Sequence, residues 1–262
     1  MVKRKEQKRV YRIRELDPDI IRPNYGDITN VNQGGHKITV IGKPGSGKSY
    51  LIRSLLYEKR HVLPTGVVFS GTEDSNGFYE TLFPKSFVHD GLELKQLEKF
   101  IKRQKLARKY LPCPWSALII DDCMDDNRLF NRPIIQGLYK NGRHWSMLYI
   151  LALQYSLDIK PSIRTNIDGT FIFREPNVNF RRKLWENYAG IIPTFDDFCE
   201  IMNQLTDKHM ALYIHNASQS NEIEDCVFWY KAKPVPENFR VGCPEYWAHH
   251  DKRYNENYRP SF

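Results

Sequence analysis

Lys37-Ile38-Thr39-Val40-Ile41-Gly42-Lys43-Pro44-Gly45-Ser46-Gly47-Lys48-Ser49 is the stretch that decides the fold. Residues 42–49 satisfy G-x-x-x-x-G-K-[ST] in full. The β-branched run 37–41 before them predicts a strand. After them, Leu51, Ile52, Leu55 and Leu56 fall on one face of a helix over 49–59. Strand, glycine loop and helix in that order make a phosphate cradle. The glycines let backbone N–H groups converge on phosphate oxygens without a Cβ in the way. The helix N-terminus favours the anion. Lys48 is placed to reach the β- and γ-phosphates, and the Ser49 hydroxyl to bind Mg²⁺. The expected nucleotide contacts are Gly42, Lys43, Pro44, Gly45, Ser46, Gly47, Lys48, Ser49 and the adjoining Tyr50. A glycine-rich turn with no ligand is the alternative, and the flanking strand and helix argue against it.

Downstream, Ala117-Leu118-Ile119-Ile120-Asp121-Asp122 reads as a buried strand that carries two carboxylates to its end. Ligands in open α/β sheets sit at that edge. Asp121 is expected to hold Mg²⁺ through water. Asp122 is expected to orient or deprotonate an attacking water. Asp125 and Asp126 suit a helix cap or a solvated turn better than catalysis.

Further strands are expected at 66–70, 85–89, 147–153, 170–173, 210–214 and 226–230. Helices are expected at 93–110, 129–140, 179–188 and 195–205. Strands that are apolar throughout and alternate with helices predict a mainly parallel sheet with helices on both faces. The strand at 66–70, between the phosphate loop and the acidic strand, resembles the RecA-like branch of P-loop ATPases. Gln154 ends the strand 147–153 beside Asp121, where it suits sensing the γ-phosphate or positioning water. A plain strand-end polar residue is the alternative. Arg143 precedes that strand and so lies at the opposite end. It is out of reach of its own nucleotide but in reach of a neighbour's, as an arginine finger. Arg164 is the rival, and a solvated or salt-bridged arginine remains open for both.

Composition sets the outer bounds. The 262 residues are 41% hydrophobic and 13% aromatic, enough for a folded core. The formal net charge of +8 points to an acidic partner. The five cysteines are widely spaced with no CxxC pair, which predicts reduced thiols. The opening MVKRKEQKRVYRIRE lacks a secretion signal's apolar core. No apolar run reaches the length of a membrane span. Three parts are expected: a basic N-terminal arm over 1–30, with Lys3, Arg4, Lys5, Lys8, Arg9, Arg12 and Arg14 in its mobile first part; a phosphate-loop domain over 31–232; and an irregular basic and aromatic tail over 233–262.

The phosphate loop, Leu-Ile-Ile-Asp-Asp, Gly-Arg-His-x-x-Ser and Gln154 followed by Ile-Arg-Thr-Asn together resemble the poxvirus-type genome-packaging ATPases of the FtsK–HerA superfamily. The resemblance covers roughly residues 36 to 175. It implies a RecA-like P-loop ATPase with Walker A and Walker B motifs, ATP and Mg²⁺ as cofactors, and nucleotide roles for Lys48, Ser49, Asp121, Asp122 and Gln154. Arg143 becomes the preferred finger. It further implies a homo-oligomeric ring that moves double-stranded DNA into a viral capsid at its portal vertex. Its place would be the host cytoplasm or the virus factory, and the virion itself. One departure is Asp122, where many superfamily members carry Glu; the shorter side chain implies slower water activation or help from other groups.

The basic segments suit DNA, because phosphate contacts need Lys and Arg and carry no sequence information. Candidates are the arm, the helix 95–109, and the tail with Trp247, His249, His250, Lys252, Arg253, Tyr254, Tyr258 and Arg259. Each is equally readable as a solvated charged segment. Two other functions stay open: a P-loop phosphotransferase such as a nucleoside or small-molecule kinase, and a non-translocating nucleotide switch in virus assembly. A GTPase is disfavoured, as no Asn-Lys-x-Asp motif occurs.

Overall fold

The computed structural model describes residues 11–28, 34–123, 128–155, 159–255 and 257. Its strands are β1 (Arg14–Glu15), β2 (Lys37–Ile41), β3 (Thr65–Ser70), β4 (Val88–Asp90), β5 (Ser116–Asp121), β6 (Met147–Leu153), β7 (Gly169–Ile172), β8 (Met210–Ile214) and β9 (Val227–Lys231). They form one nine-stranded sheet in the order β1-β9-β8-β7-β2-β6-β5-β3-β4. Only β8 runs against its neighbours in this sheet. The helices are α1 (Lys48–Glu58), α2 (Glu73–Asn76), α3 (Leu94–Tyr110), α4 (Pro133–Asn141), α5 (Pro161–Arg164), α6 (Val178–Tyr188), α7 (Phe195–Leu205), α8 (Ile223–Cys226) and α9 (Pro244–Arg253).

The central strands read apolar throughout because both faces are covered. Along β5, Leu118 and Ile120 face one apolar layer with Leu97 and Ile101 of α3, Leu138 of α4 and Phe198 of α7. Ala117 and Ile119 face the other, with Leu51, Ile52 and Leu55 of α1 and Tyr246 of α9. The period-2 side-chain alternation of a strand makes this division. In the sheet, β6 lies between β2 and β5. The phosphate-loop strand and the acidic strand are therefore separated by the one that ends at Gln154. All five cysteines are free thiols. Among the described residues, no helix is long and apolar enough to cross a membrane.

The structure departs from the sequence expectations at both ends. Residues 1–10, which hold Lys3, Arg4, Lys5, Lys8 and Arg9, lie outside the described residues, as do Asp125, Asp126, Tyr258 and Arg259. Within the expected arm, Arg14–Glu15 form a strand at the edge of the sheet. Arg14 pairs with Phe228, and the Leu16 N–H donates to the Trp229 carbonyl at 2.8 Å. Leu16 and Ile21 are buried. Two paired residues are too few to leave a period in the sequence.

The expected irregular tail contains helix α9. Pro sits in the first turn, where a missing N–H costs nothing. The tail is stitched to the β3 end of the sheet. The Val241 N–H donates to Leu82 at 2.8 Å and the Cys243 N–H to Pro64 at 2.9 Å. The buried Tyr246 donates its hydroxyl to the Gly66 carbonyl at 2.6 Å. The helix buries one aromatic among charged neighbours, so its apolar stripe is too thin to show as a period.

Tyr246→Ala removes that packing and bond together. It is expected to lower the unfolding free energy by about 3 kcal/mol, read from denaturant unfolding of the full chain. An unchanged midpoint would detach the tail from the core.

Candidate functional site

The site lies at the carboxyl edge of β2, β6 and β5. Parallel register makes it: Ile41 pairs with Leu153, and Asp121 pairs with Ala152. The loop after β2, Gln154 after β6 and Asp122 after β5 thus emerge together. The loop's turn depends on glycine, with φ of +74° at Gly45 and +107° at Gly47. Gly47 caps α1, so the first N–H groups of the helix, Lys48 and Ser49 among them, have no acceptor within it.

The Ser49 hydroxyl lies 3.5 Å from Asp121 Oδ2. Asp121 is 6% exposed, and burial pushes its carboxyl above the ordinary aspartate range. The Tyr79 hydroxyl, donating to Oδ2 at 2.7 Å, and the Lys48 ammonium hold it back down. Lys48 Nζ donates to the carbonyls of Gly42 at 2.7 Å and Lys43 at 3.3 Å. Burial lowers its pKa, and Asp121 and Asp122 oppose that shift.

Asp122 stands in the left-handed region at φ +53°, a conformation a non-glycine residue adopts at a cost. Gly71 makes room for it: a Cβ there would lie 2.2 Å from the Asp122 carbonyl oxygen. Gln154 Nε2 donates to Asp122 Oδ1 at 2.5 Å. The structure therefore brings Lys48, Ser49, Asp121, Asp122 and Gln154 to one edge. Tyr50 is exposed beside them, and Lys43 pairs with Glu175 at 2.8 Å. Pro44 lies exposed in the loop.

The two arginines lie elsewhere. Arg143 is at the opposite edge, where its guanidinium pairs with Asp168. Asp168 also accepts the backbone N–H of Lys37 at 2.9 Å. Arg143 remains 52% exposed. Arg164 is tied down locally, donating to the Ile159 carbonyl at 2.8 Å and to Asn187 Oδ1 at 2.7 Å. Neither arginine touches the phosphate loop.

Sequence reasoning missed Tyr79, Glu175 and His209. Tyr79 is one aromatic among several after β3, and only its fold position puts it on Asp121. His209 Nδ1 sits 3.1 Å from the Ser46 carbonyl. A carbonyl only accepts, so this nitrogen carries the proton. Its signal is absent from sequence because it depends on β8 running antiparallel.

No family model matches the chain. It is 52% identical over 238 residues to protein 088R of Invertebrate iridescent virus 3, covering 90% of this chain and 91% of that one. It is 47% identical over 251 residues to protein 075L of Invertebrate iridescent virus 6, covering 95% and 96%. The chain belongs to this family of viral proteins. The family reaches protein L437 of Acanthamoeba polyphaga mimivirus, at 33% identity over 84% of this chain and 80% of that one. Among solved structures, the genome packaging NTPase B204 of Sulfolobus turreted icosahedral virus 2, in complex with ATP-gammaS, superposes with a TM-score of 0.54 at 18% identity. That match covers 77% of this chain and 98% of B204. EssC (ATPases 2 and 3) of Geobacillus thermodenitrificans gives 0.52 at 15% identity, over 88% of this chain and 46% of EssC. At such identities the likeness shows the fold alone: this chain shares the α/β fold of B204 and EssC.

The raised pKa of Asp121 fixes a sign. The folded state binds the proton more tightly than the unfolded chain does, so the ionised carboxylate costs stability at neutral pH. That cost disappears as pH falls through the raised value toward the unfolded one, 3.8. Without nucleotide, Asp121→Asn is expected to melt at or above the wild-type temperature at pH 7, with the gap closing toward pH 4. Its Mg²⁺-dependent nucleotide affinity should fall. A variant that melts lower at pH 7 would show that the charge supports the fold.

Proposed function

We propose that the chain is an ATP-hydrolysing motor that moves double-stranded DNA into a viral capsid. The observation that carries it is the Ser49–Asp121 approach of 3.5 Å beside the Gln154–Asp122 bond, all next to Lys48. The residues fit a triphosphate. The Ser46 hydroxyl is enclosed without a partner, and a Cβ at Gly42 would strike it at 2.5 Å. B204 of Sulfolobus turreted icosahedral virus 2, a genome packaging NTPase with the same fold, forms a complex with ATP-gammaS.

ATP would be the phosphoryl donor, and a bound Mg²⁺ would supply neutralisation of the phosphate charge. Lys48 and the α1 N-terminus hold the phosphates. Ser49 and Asp121 would hold the metal, Asp121 being steadied by Tyr79. Asp122 accepts the proton of the attacking water, and Gln154 fixes that carboxylate.

Two features support a DNA partner. The net charge is +8, and α3 presents Lys95, Lys99, Lys102, Lys105 and Lys109 as exposed cations along its length. A motor that tracks any sequence needs phosphate contacts alone. Arg143 is proposed as the finger acting in trans within a homo-oligomeric ring, because its exposed guanidinium lies at the sheet edge away from its own loop.

Asp122→Asn is expected to keep ATP affinity and lose at least about 10²-fold in turnover; unchanged turnover rejects Asp122 as the base. Duplex DNA should raise the ATPase rate, less so at higher salt. Lys102→Gln with Lys105→Gln should lower the salt slope of DNA binding by roughly two. A rate indifferent to DNA at every salt concentration removes the motor. Mixing Arg143→Ala with Lys48→Ala subunits should restore activity that neither has alone; no recovery would reject the finger.

A further inference from the structure

We propose that the cleft beside the phosphate loop is a nucleoside subsite, with the Tyr50 ring as the platform on which the base stacks. The inference rests on the nucleotide reading above and names what that reading leaves open: the residues that hold the base.

Topology builds the cleft. Because β8 is antiparallel, the turn before it returns to the edge where the phosphate loop lies. Because β9 is parallel to β7's direction again, the chain leaving it at Lys231 emerges at the same edge. Between these two segments and α1 lies an open cleft of about 920 Å³, in the range of ligand sites. Lys48 and Ser49 line one end. Tyr50, Phe78, Lys208, His209, Pro234 and Val235 line the rest. A molecule whose phosphates sit in the loop has its remaining part directed along this wall.

Tyr50 follows Ser49 immediately and is 66% exposed. A large apolar ring is left open to water beside the loop, making an edge-on contact with Phe78 at 5.9 Å between centroids. The facing wall is held in place. The Lys233 N–H donates to Ser54 Oγ at 2.9 Å, Arg53 Nη2 to the Pro236 carbonyl at 2.8 Å, and Lys233 Nζ pairs with Glu58 at 3.1 Å. Three anchors onto α1 fix the distance between ring and wall before anything binds, which lowers the ordering cost of binding.

The third side is strained. Lys208 and His209 stand consecutively at φ +50° and +62°. Two adjacent non-glycine residues in the left-handed region need a compensating hold. The His209 bond to the Ser46 carbonyl provides it, clamping the turn to the phosphate loop. Lys208, Lys231 and Arg53 also line the cleft, against Glu237 as the acid. That excess of cations suits the phosphate-bearing part of the ligand, while the base is left to the aromatic wall.

Stacking on an aromatic ring tolerates every base, since each has a π face. The test therefore compares a ligand with a base and one without. ATP and inorganic tripolyphosphate are titrated calorimetrically, with Mg²⁺, against the full chain. Wild type should bind both. Tyr50→Ala should raise the Kd for ATP about tenfold or more and leave tripolyphosphate affinity unchanged. Tyr50→Phe, which keeps the ring, should behave as wild type. If wild type binds both ligands but Tyr50→Ala weakens neither, or weakens both equally, the subsite is overturned while the nucleotide reading stands. If wild type binds neither, the nucleotide reading falls and takes the subsite with it.

Discussion

The parallel register of β2, β6 and β5 is the constraint on which the site depends. Ile41 is level with Leu153, and Ala152 with Asp121. The next residues step off the sheet within one residue of a common height, Gly42 level with Gln154 and Asp122 one residue below them. Gly42 opens the phosphate loop, Gln154 stands beside it, and Asp122 completes the row. A slip of one residue in any of these strands would turn its side chains to the other face. It would also expose to one helix layer what the other was built to cover. The two apolar layers therefore do more than hold the sheet. They lock the relative heights of three loops that share no sequence contact.

Within that row the local chemistry is costly, and the costs meet at β5's end. Asp121 is ionisable and nearly enclosed, held by a fully buried tyrosine and facing Ser49. Asp122 takes a left-handed backbone that needs Gly71 to lack a Cβ. Each feature alone is unfavourable to the fold. Together they place two carboxylates in different surroundings, one buried against Tyr79 and Ser49, the other half-exposed and bonded to Gln154. Two adjacent aspartates with different environments are suited to different tasks, and the difference comes from the chain around them rather than from residue type.

Much of this was legible in the sequence. β6, α7 and β8 fall where their periods predict, at Met147–Leu153, Phe195–Leu205 and Met210–Ile214. Long buried runs and a glycine-lysine motif are local signals. What was not legible is non-local. β1 is two residues whose only evidence is their pairing with β9. Helix α9 buries a single tyrosine. Tyr79 is recognisable on Asp121 only once β3 and β5 are known to be neighbours. His209 reaches Ser46 across 163 positions of sequence, and nothing in Lys208-His209 announces it. The single reversed strand is the cause. It carries a turn to the phosphate edge that an all-parallel reading would leave at the other.

The two edges of the sheet also divide the labour expected of an assembly. At the edge away from the phosphate loop, Asp168 is 2% exposed and shared between Lys37 and Arg143. Nearby, burial lowers the His36 pKa to about 4, so its ring is neutral and accepts the Arg22 N–H at 3.1 Å. The only strongly exposed member of that group is Arg143. An arginine so placed is too far from its own loop, so the trans reading requires the loop edge of one copy to face the opposite edge of the next. Such a contact is heterologous: the two surfaces differ, and the copies close into a ring only if the rotation between them does. On that reading the Asp168 pair would have a consequence for the finger: it would hold the guanidinium in place before a neighbour arrived, and a neighbour's phosphates would have to compete with a buried carboxylate to draw it away.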